Sequence, residues 1–217
     1  MSKDPVVILA ARRTPVGGFQ GVFSTVTAPQ LGAVAIKAAL ADSRVAPADV
    51  AEVMMGCVLP AGIGQAPARQ ASIGAGLPAS VPCTTVNKMC GSGMRTLMMA
   101  ADQIAADHAD IIIAGGLESM TNAPYLLLKA RAGYRMGHGE VLDHMFYDGL
   151  QSPWDGKLMG CFADATAQEY GFTREAQDAF AAESVRRALA ACNGGGFAKE
   201  IAPVTAKARK GEVVVDK

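Results

Sequence analysis

Residues 85–95 read TVNKMCGSGMR, and the character of the chain changes twice within them. The residues leading in, 81–86, are mostly apolar or β-branched, which is typical of a strand. The small triplet 91–93 favours a tight turn, and the Met-, Leu- and Ala-rich run 94–106 favours a helix. The sequence therefore predicts a strand, a turn and a helix in succession, with Cys90 at the turn.

Cys90 is well situated for chemistry in this arrangement. The first turn of a helix has unpaired backbone N–H groups and a partial positive charge. A thiolate beside it is favoured over the thiol and can act as a nucleophile, while the same N–H groups can bind an oxyanion. The alternative is a buried structural cysteine, since free thiols are often buried. The flexible triplet Gly91-Ser92-Gly93 directly after Cys90 favours the catalytic interpretation.

Several motifs resemble one enzyme family. Residues 87–93, NKMCGSG, are similar to the acyl-enzyme signature of the thiolases, and residues 115–125, GGLESMTNAPY, are similar to their Gly-Gly-x-Glu-Ser-Met motif. Further similar segments lie at 11–17, where Arg12 replaces the usual small residue, at 158–160 and at 197–204. Because these motifs occur in the family's order, the resemblance extends along the chain.

The composition argues against several classes of protein. Half of the 217 residues are apolar and the formal net charge is zero, so we expect no nucleic acid or membrane partner. No apolar run approaches the roughly 20 residues that span a bilayer, and the N-terminus lacks a signal-peptide pattern. The five cysteines lack Cys-x-x-Cys spacing, which favours free thiols in a reducing compartment and no metal site. We therefore expect a cytoplasmic protein.

Strands alternate with helices over the first half of the chain. Besides the elements around Cys90, we predict strands at 5–11, 52–58 and 110–114 and helices at 29–42, capped by Thr27, and at 65–76. The run 5–11 is continuously apolar and should be buried on both faces. Such alternation favours an α/β layered domain with functional groups at the carboxyl ends of the strands. Cys90 and the turn at 115–118 should therefore meet at one edge of the sheet.

The pattern weakens after residue 120. Residues 121–160 are rich in Gly, Met, His and aromatic residues, which indicates a loop-dominated segment. Helices are predicted at 162–170 and 173–191 and a strand at 212–216. We therefore divide the chain into an αβ domain with the nucleophilic cysteine, 1–120, and an incomplete loop domain for substrate binding and oligomer contacts, 121–217.

The resemblance implies a thiolase-like layered fold and an acyl-CoA acyltransferase. The fold would comprise an N-terminal αβ half with a mixed sheet and a loop-rich α subdomain, without the C-terminal αβ half. Cys90 would take an acyl group from acetyl-CoA, and a second acetyl-CoA would then form acetoacetyl-CoA. The reverse reaction would cleave a 3-oxoacyl-CoA with CoA. No cofactor is implied, because the coenzyme A thioester is itself the substrate.

Three residues of the loop domain are implied as substrate contacts. By resemblance, Met159 lies against the reacting thioester, and Leu150 packs on the adenine or pantetheine side of coenzyme A. Leu158 stands where many relatives have His, which removes a polar contact to the coenzyme A tail. For all three the alternative is ordinary apolar packing.

Other polar residues are expected to be structural. Asn87 and Glu118 should hold turns by satisfying buried backbone groups. The isolated histidines, His108, His138 and His144, lack the spacing of a zinc site and lie outside the family's catalytic motifs, so we expect solvated or packing roles.

A second cysteine lies in a setting that resembles a catalytic one. The string CNGGG at 192–196 is similar to the Cys-x-Gly-Gly-Gly setting of a second catalytic cysteine in thiolases. That cysteine lies near the family's C-terminus, whereas this string follows a long predicted helix. We therefore interpret Cys192 as the end of a helix with glycine caps.

The resemblance covers only part of a thiolase. Thiolases are nearly twice this length, and their second αβ domain carries the His that activates the nucleophile and the Cys that serves as base. Without those groups we expect this chain alone not to turn over. The C-terminal thiolase domain would come from another chain or from a remainder of this one. The family also implies a homo-oligomer, a dimer or a tetramer, and residues 125–144 resemble its tetramer contacts.

Two alternatives stay open. The chain could be a non-catalytic half that acts as a coenzyme A-binding or oligomerisation module. It could also belong to the ketoacyl synthases, which likewise place a cysteine at a helix start. The motifs at 115–120 and 158–160 argue against the synthases.

Overall fold

The computed structural model describes residues 5–208 and 211–217, which form two compact units. One unit contains the residues up to Pro124 together with Glu200–Asp216, and the other contains Tyr125–Lys199 with Lys217. The helices and strands are, in chain order, α1 (Ala28–Ser43), β1 (Glu52–Gly56), α2 (Pro67–Gly74), β2 (Cys83–Val86), α3 (Ser92–Ala105), β3 (Ile112–Gly116), β4 (Tyr125–Leu126), β5 (Leu142–Asp143), α4 (Met159–Glu169), α5 (Arg174–Asn193), β6 (Val204–Ala208) and β7 (Gly211–Val215). A π-helix spans Met145–Leu150. The predicted α/β class is confirmed.

The first unit is built on a three-stranded sheet with the order β2-β1-β3. Both pairings are parallel, and Gly56 at the end of β1 stands beside Val86 of β2 and Gly116 of β3. Antiparallel pairing occurs in two separate ladders, β4 with β5 and β6 with β7. Because β1, β2 and β3 run the same way, their carboxyl ends lie at one edge, as predicted for the turns after β2 and β3.

Alternate residues of β1 face different helices. Val53 and Met55 of β1, and Cys57 directly after the strand, belong to the core that α1 and α2 share with the sheet. The side chain of Met54 is fully buried and points to the opposite face, on which α3 packs against β1 and β3. The sheet is therefore covered by helices on both faces, and α3 reaches the edge where β1 ends.

α1 begins where its cap was predicted. The Thr27 hydroxyl accepts a hydrogen bond from the Gln30 N–H at 3.4 Å, and the Gln30 side chain accepts one from the Thr27 N–H at 2.8 Å. This reciprocal pair satisfies two backbone donors that the helix itself cannot. Pro29 lies in the first turn, where its missing N–H costs little.

The buried strand predicted at 5–11 is wrong. These residues make no sheet pairing within the described ranges, and the side chains of Val6, Val7, Ile8 and Leu9 are 43–79% exposed. An apolar, β-branched run has the tendency to pair, but a strand also needs a neighbour for its backbone groups. The described part of the chain places no strand beside this run.

Residues 200–216 belong to the first unit, whereas the predicted division at residue 120 placed them in the second domain. The Arg13 N–H donates to the Glu200 carbonyl at 2.9 Å, and the Ala202 N–H donates to the Arg13 carbonyl at 2.7 Å. The Arg13 guanidinium also pairs with the Glu200 carboxylate at 2.9 Å. These contacts join two segments that are far apart in the sequence.

The hairpin of β6 and β7 packs on the loop before α1. Val204 and Ala206 of β6 are buried with Phe23 and Val26. The strand predicted at 212–216 is confirmed as β7, whereas β6 was not predicted. Buried and exposed residues alternate in β6 over only five positions. So short a pattern does not predict a strand until the apolar loop that the buried residues cover is known.

The second unit is largely helical. The helices predicted at 162–170 and 173–191 are confirmed as α4 and α5, and neither has a buried residue. The Thr173 hydroxyl caps α5 by accepting from the Ala176 N–H at 3.2 Å. Among residues 5–208 and 211–217, no helix combines the length and the apolar character needed to cross a bilayer.

Candidate active site at the Cys90 turn

Cys90 lies in the short turn between β2 and α3. Its side chain is exposed, and α3 begins two residues later at Ser92. The predicted succession of strand, turn and helix is therefore confirmed, with the helix starting slightly earlier than expected. The catalytic role of Cys90 stays a prediction, but the thiol is accessible and lies beside a helix N-terminus.

Two side chains hold the turn before Cys90. Asn87 Oδ1 accepts from the Met89 N–H at 2.9 Å. The Ser92 hydroxyl accepts from the Lys88 N–H at 2.9 Å and donates to the Met89 carbonyl at 2.5 Å. The structural role predicted for Asn87 is confirmed, because its amide replaces a backbone partner that the turn lacks. Ser92 was not singled out from the sequence.

Met89 has an unusual backbone conformation. Its φ angle is +50°, in the left-handed region that residues other than glycine rarely adopt. Non-glycine residues in this region persist only where their surroundings hold them, and they are concentrated at functional sites. The residue directly before the candidate nucleophile is therefore held under strain.

Glycines let α3 approach the edge of the sheet. A Cβ atom on Gly56 would lie 2.6 Å from the backbone nitrogen of Gly93, and one on Gly116 would lie 3.4 Å from the Gly93 Cα. The Thr96 hydroxyl ties the same region together by donating to the carbonyls of Gly93, at 2.7 Å, and Gly115, at 2.9 Å. The first turn of α3 is thus fixed against the ends of β1 and β3.

The first turn of α3 has no side-chain cap in the described part of the chain, although the Ser92 N–H donates to the Met89 carbonyl at 2.9 Å. Gly91 is the N-cap residue. The N–H groups of an uncapped first turn need another partner, such as water or a ligand. An anion formed next to Cys90 would meet donors already oriented by the helix.

Glu118 joins the ends of β1 and β3. Its carboxylate accepts from the N–H groups of Val58, at 2.7 Å, and Leu59, at 3.1 Å, and also contacts the Cys57 thiol at 3.6 Å. The structural role predicted for Glu118 is confirmed. Burial, and after it the Glu118 carboxylate, raise the pKa of the Cys57 thiol from 9.0 to about 12. Cys57 therefore stays protonated near neutral pH and is a poor nucleophile.

The predicted substrate contacts lie in the second unit. Leu150 ends the π-helix and is half-buried, and the next residue, Gln151, forms an antiparallel bridge with Leu158. Leu158 occupies the N-cap position of α4 without a side-chain cap, Met159 is the first residue of the helix, and both side chains are exposed. The bridge brings Leu150 and the start of α4 into one neighbourhood. Cys90 belongs to the first unit, so the contact of these three residues with a substrate held at Cys90 stays a prediction.

His144 was expected to be isolated, but it has a side-chain partner. It is only 4% exposed, and its Nδ1 lies 2.5 Å from the Asp148 carboxylate one turn along the π-helix. The spacing of four residues between His144 and Asp148 was the signal that sequence reasoning missed. The pair fixes the segment that leads to Leu150.

Cys192 lies where the sequence predicted. It is one residue before the end of α5, and Gly194 follows as the C-cap residue. The side chain is exposed, as is that of Cys161 in α4. In the part of the chain that the structure describes, no group of three or more potential metal ligands comes together.

Comparison with known proteins identifies the family. The family model described as "Thiolase, N-terminal domain" matches residues 6–217. The chain belongs to the thiolase family. It is 51% identical to an acetyl-CoA acetyltransferase of Cupriavidus necator over 212 residues, covering 98% of this chain and 54% of that protein. The resemblance drawn from the motifs at 87–93 and 115–125 is thereby confirmed.

Relatives of this thiolase chain occur in bacteria, yeasts and plants. It is 49% identical to an acetyl-CoA acetyltransferase of Pseudomonas aeruginosa over 207 residues, 95% of this chain and 53% of that protein. It is 48% identical to acetyl-CoA acetyltransferase 1 of Arabidopsis thaliana over 214 residues, 98% of this chain and 52% of that protein. The chain thus spans about half the length of the curated relatives it matches.

Proposed function

We propose that this chain supplies the acyl-accepting half of a thiolase, with Cys90 as the nucleophile. The observation that carries the proposal is the exposed Cys90 thiol, held on a strained turn directly before an uncapped helix at the carboxyl edge of a parallel sheet. An accessible sulfur beside oriented N–H groups is the arrangement that acyl transfer requires. The names of the relatives support an acetyl-CoA substrate.

The first half-reaction joins this sulfur to the acyl group of a thioester, and by resemblance to thiolases a His of the C-terminal half activates the sulfur. The Cys90 thiolate attacks the thioester carbonyl carbon, and the negative charge moves onto the carbonyl oxygen. Donors at the start of α3 stabilise that oxyanion. When the tetrahedral adduct collapses, the bond to the coenzyme A sulfur breaks, coenzyme A leaves as a thiolate that takes up a proton, and the acyl group remains on Cys90.

The second half-reaction needs groups from elsewhere. A base must remove an α-proton from a second acetyl-CoA so that its carbanion can attack the acyl-enzyme and release acetoacetyl-CoA. Thiolysis of a 3-oxoacyl-CoA is the same path in reverse. We propose that a C-terminal thiolase half provides this base, that coenzyme A thioesters are the only small molecules required, and that the chain alone does not turn over.

The exposed apolar surfaces of the first unit support a requirement for that half. The side chains of Val6–Leu9 are exposed, and so are Met94, Leu97 and Met98, which share one face of α3. Apolar surface of this kind normally marks an interface.

In the second unit, we propose that Leu150, Leu158 and Met159 contact the coenzyme A chain and the thioester.

Labelling of the thiols tests the nucleophile. The chain is incubated with acetyl-CoA, or separately with iodoacetamide, and the modified residues are mapped by mass spectrometry. We expect Cys90 to be labelled faster than Cys161 and Cys192, which are also exposed and serve as internal controls. A Cys90→Ser variant should lose the dominant label. Equal labelling of the three exposed cysteines would contradict the proposal.

Complementation tests the requirement for a second half. Acetoacetyl-CoA thiolysis is measured with this chain alone, with a separately produced C-terminal half of a relative, and with both. We expect activity only in the mixture, and none in a mixture that contains the Cys90→Ser variant. Activity of the chain alone, or its absence from a mixture in which the two halves bind each other, would count against the proposal.

The exposed apolar surfaces also favour the second candidate function, an oligomerisation or coenzyme A-binding module without catalysis. Retention of the chain on immobilised coenzyme A, together with no preferential labelling of Cys90, would favour that module over the enzyme.

A further inference from the structure

The Ser92 hydroxyl occupies a position that the proposed chemistry has not used. Its side chain is 4% exposed and lies at the first position of α3, two residues after Cys90. Instead of capping its own helix, the hydroxyl turns back across the loop, where it accepts from the Lys88 N–H and donates to the Met89 carbonyl. Both bonds lie on the residues directly before the nucleophile.

The Met89 peptide groups are held from both sides. On the nitrogen side, Asn87 Oδ1 accepts from the Met89 N–H at 2.9 Å. On the carbonyl side, the Met89 oxygen accepts from the Ser92 hydroxyl and, at 2.9 Å, from the Ser92 N–H. The carbonyl side is also the peptide bond to Cys90. A rotation that relaxed Met89 out of its left-handed conformation would break these bonds and turn Cys90.

Close packing leaves Ser92 little freedom to move. A Cβ atom on Gly56 would lie 2.7 Å from the Ser92 Cβ, so the end of β1 passes directly beside it. The sheet therefore fixes the position of Ser92, and the two hydrogen bonds of its hydroxyl fix the turn before Cys90.

We propose that Ser92 is a positioning residue for the nucleophile: its hydroxyl holds Met89 in the left-handed conformation that presents the Cys90 sulfur beside the start of α3. The inference rests on the proposed role of Cys90. Ser92 does not touch the substrate in this account, and it acts only through the backbone of Met89.

The experiment compares four single variants, and the double variant Met89→Gly with Ser92→Ala, by the rate at which iodoacetamide labels Cys90, divided by the rate at Cys161 in the same molecule. Ser92→Ala removes the hydroxyl. Ser92→Thr and Ser92→Val form a matched pair, because they add the same bulk and only Thr keeps the hydroxyl. Met89→Gly allows the left-handed conformation without strain.

We expect Ser92→Ala and Ser92→Val to lower the Cys90-to-Cys161 ratio about three- to tenfold, the factor that corresponds to one hydrogen bond. Ser92→Thr should stay within about twofold of the wild-type ratio. In the Met89→Gly background, Ser92→Ala should change the ratio by less than about twofold, since a glycine at that position adopts the conformation without support. Such coupling would not follow if Ser92 only stabilised the fold.

Other outcomes overturn the inference. They are an unchanged ratio in Ser92→Ala, equal ratios in Ser92→Thr and Ser92→Val, or an undiminished effect of Ser92→Ala in the Met89→Gly background. If Ser92→Ala does not fold, as judged by circular dichroism, the Thr and Val pair decides the question. If wild-type Cys90 reacts no faster than Cys161, the proposed function fails first, and the two failures are thus distinguishable.

Discussion

At the scale of single residues, two cysteines at the carboxyl edge of the sheet differ in their surroundings. Cys57 follows β1 and Cys90 follows β2, and the register sets the ends of these strands side by side. Cys57 is buried next to the Glu118 carboxylate, which disfavours a second negative charge, whereas Cys90 is exposed next to a helix N-terminus. The two residues have the same intrinsic chemistry, but burial makes the Cys57 thiol a poor nucleophile, whereas the Cys90 thiol is accessible.

The raised pKa of Cys57 predicts a loss of stability in alkali. The folded thiol keeps its proton to about pH 12, whereas the unfolded thiol loses it near pH 9.0. The contribution of Cys57 to stability is therefore complete below pH 9.0 and declines as the pH rises toward 12. Urea unfolding across this range should show a steeper decline for the wild type than for Cys57→Ala.

Two comparisons make that measurement specific. Cys57→Ala should be less stable at every pH because it leaves a cavity, so the slopes are compared and not the levels. Cys161→Ala removes an exposed thiol and should keep the slope of the wild type. Parallel curves for the wild type and Cys57→Ala would contradict the prediction.

At the scale of elements, local pattern predicted the strands and helices whose partners lie nearby. The predicted strand at 52–58 is β1, that at 110–114 is β3 within two residues, and the predicted helix at 173–191 is α5. The segment 5–11 failed because a strand depends on a neighbour that its own pattern cannot specify. The close approach of α3 to Gly56 could not be predicted either, because it joins residues that are distant in the sequence.

Gly56 offers a prediction at this scale. In Gly56→Ala, the new methyl group would lie 2.6 Å from the backbone of Gly93 and Ser92, so α3 must shift. We expect a loss of about 1–3 kcal/mol in the free energy of unfolding, as for other overpacked sites, and slower iodoacetamide labelling of Cys90. Denaturation and thiol mapping measure the two effects.

The matched control is Gly18→Ala. A Cβ at Gly18 meets no heavy atom within 4 Å, so this variant should stay within about 0.5 kcal/mol of the wild type. If Gly56→Ala is as stable and as reactive as Gly18→Ala, the packing of α3 against β1 does not position the turn.

At the scale of the whole molecule, apolar surface and charge favour association. The formal net charge is zero, so no net repulsion keeps copies apart. The side chains of Val6–Leu9 and the Met94, Leu97 and Met98 face of α3 are exposed. These surfaces lie in the first unit, which also carries the candidate nucleophile.

We predict that the chain is not a free monomer in solution. Light scattering over a range of concentrations should give a mass above that of one 22.4 kDa chain. A Leu97→Glu variant, which adds a charge to the α3 face, should lower the mass if that face mediates association. A monodisperse monomer of the wild-type chain at every concentration would contradict the prediction.

The path of the chain between the units has a consequence for variation in length. The backbone leaves the first unit after Pro124 and re-enters it at Glu200, beside Arg13, so residues 125–199 form an insertion between two parts of one body. The entropic free-energy cost of closing a chain segment into a loop grows only with the logarithm of its length, by about 0.6 kcal/mol for each doubling. We therefore expect changes in the length of this insertion to alter the stability of the scaffold that holds the Cys90 sulfur only slightly.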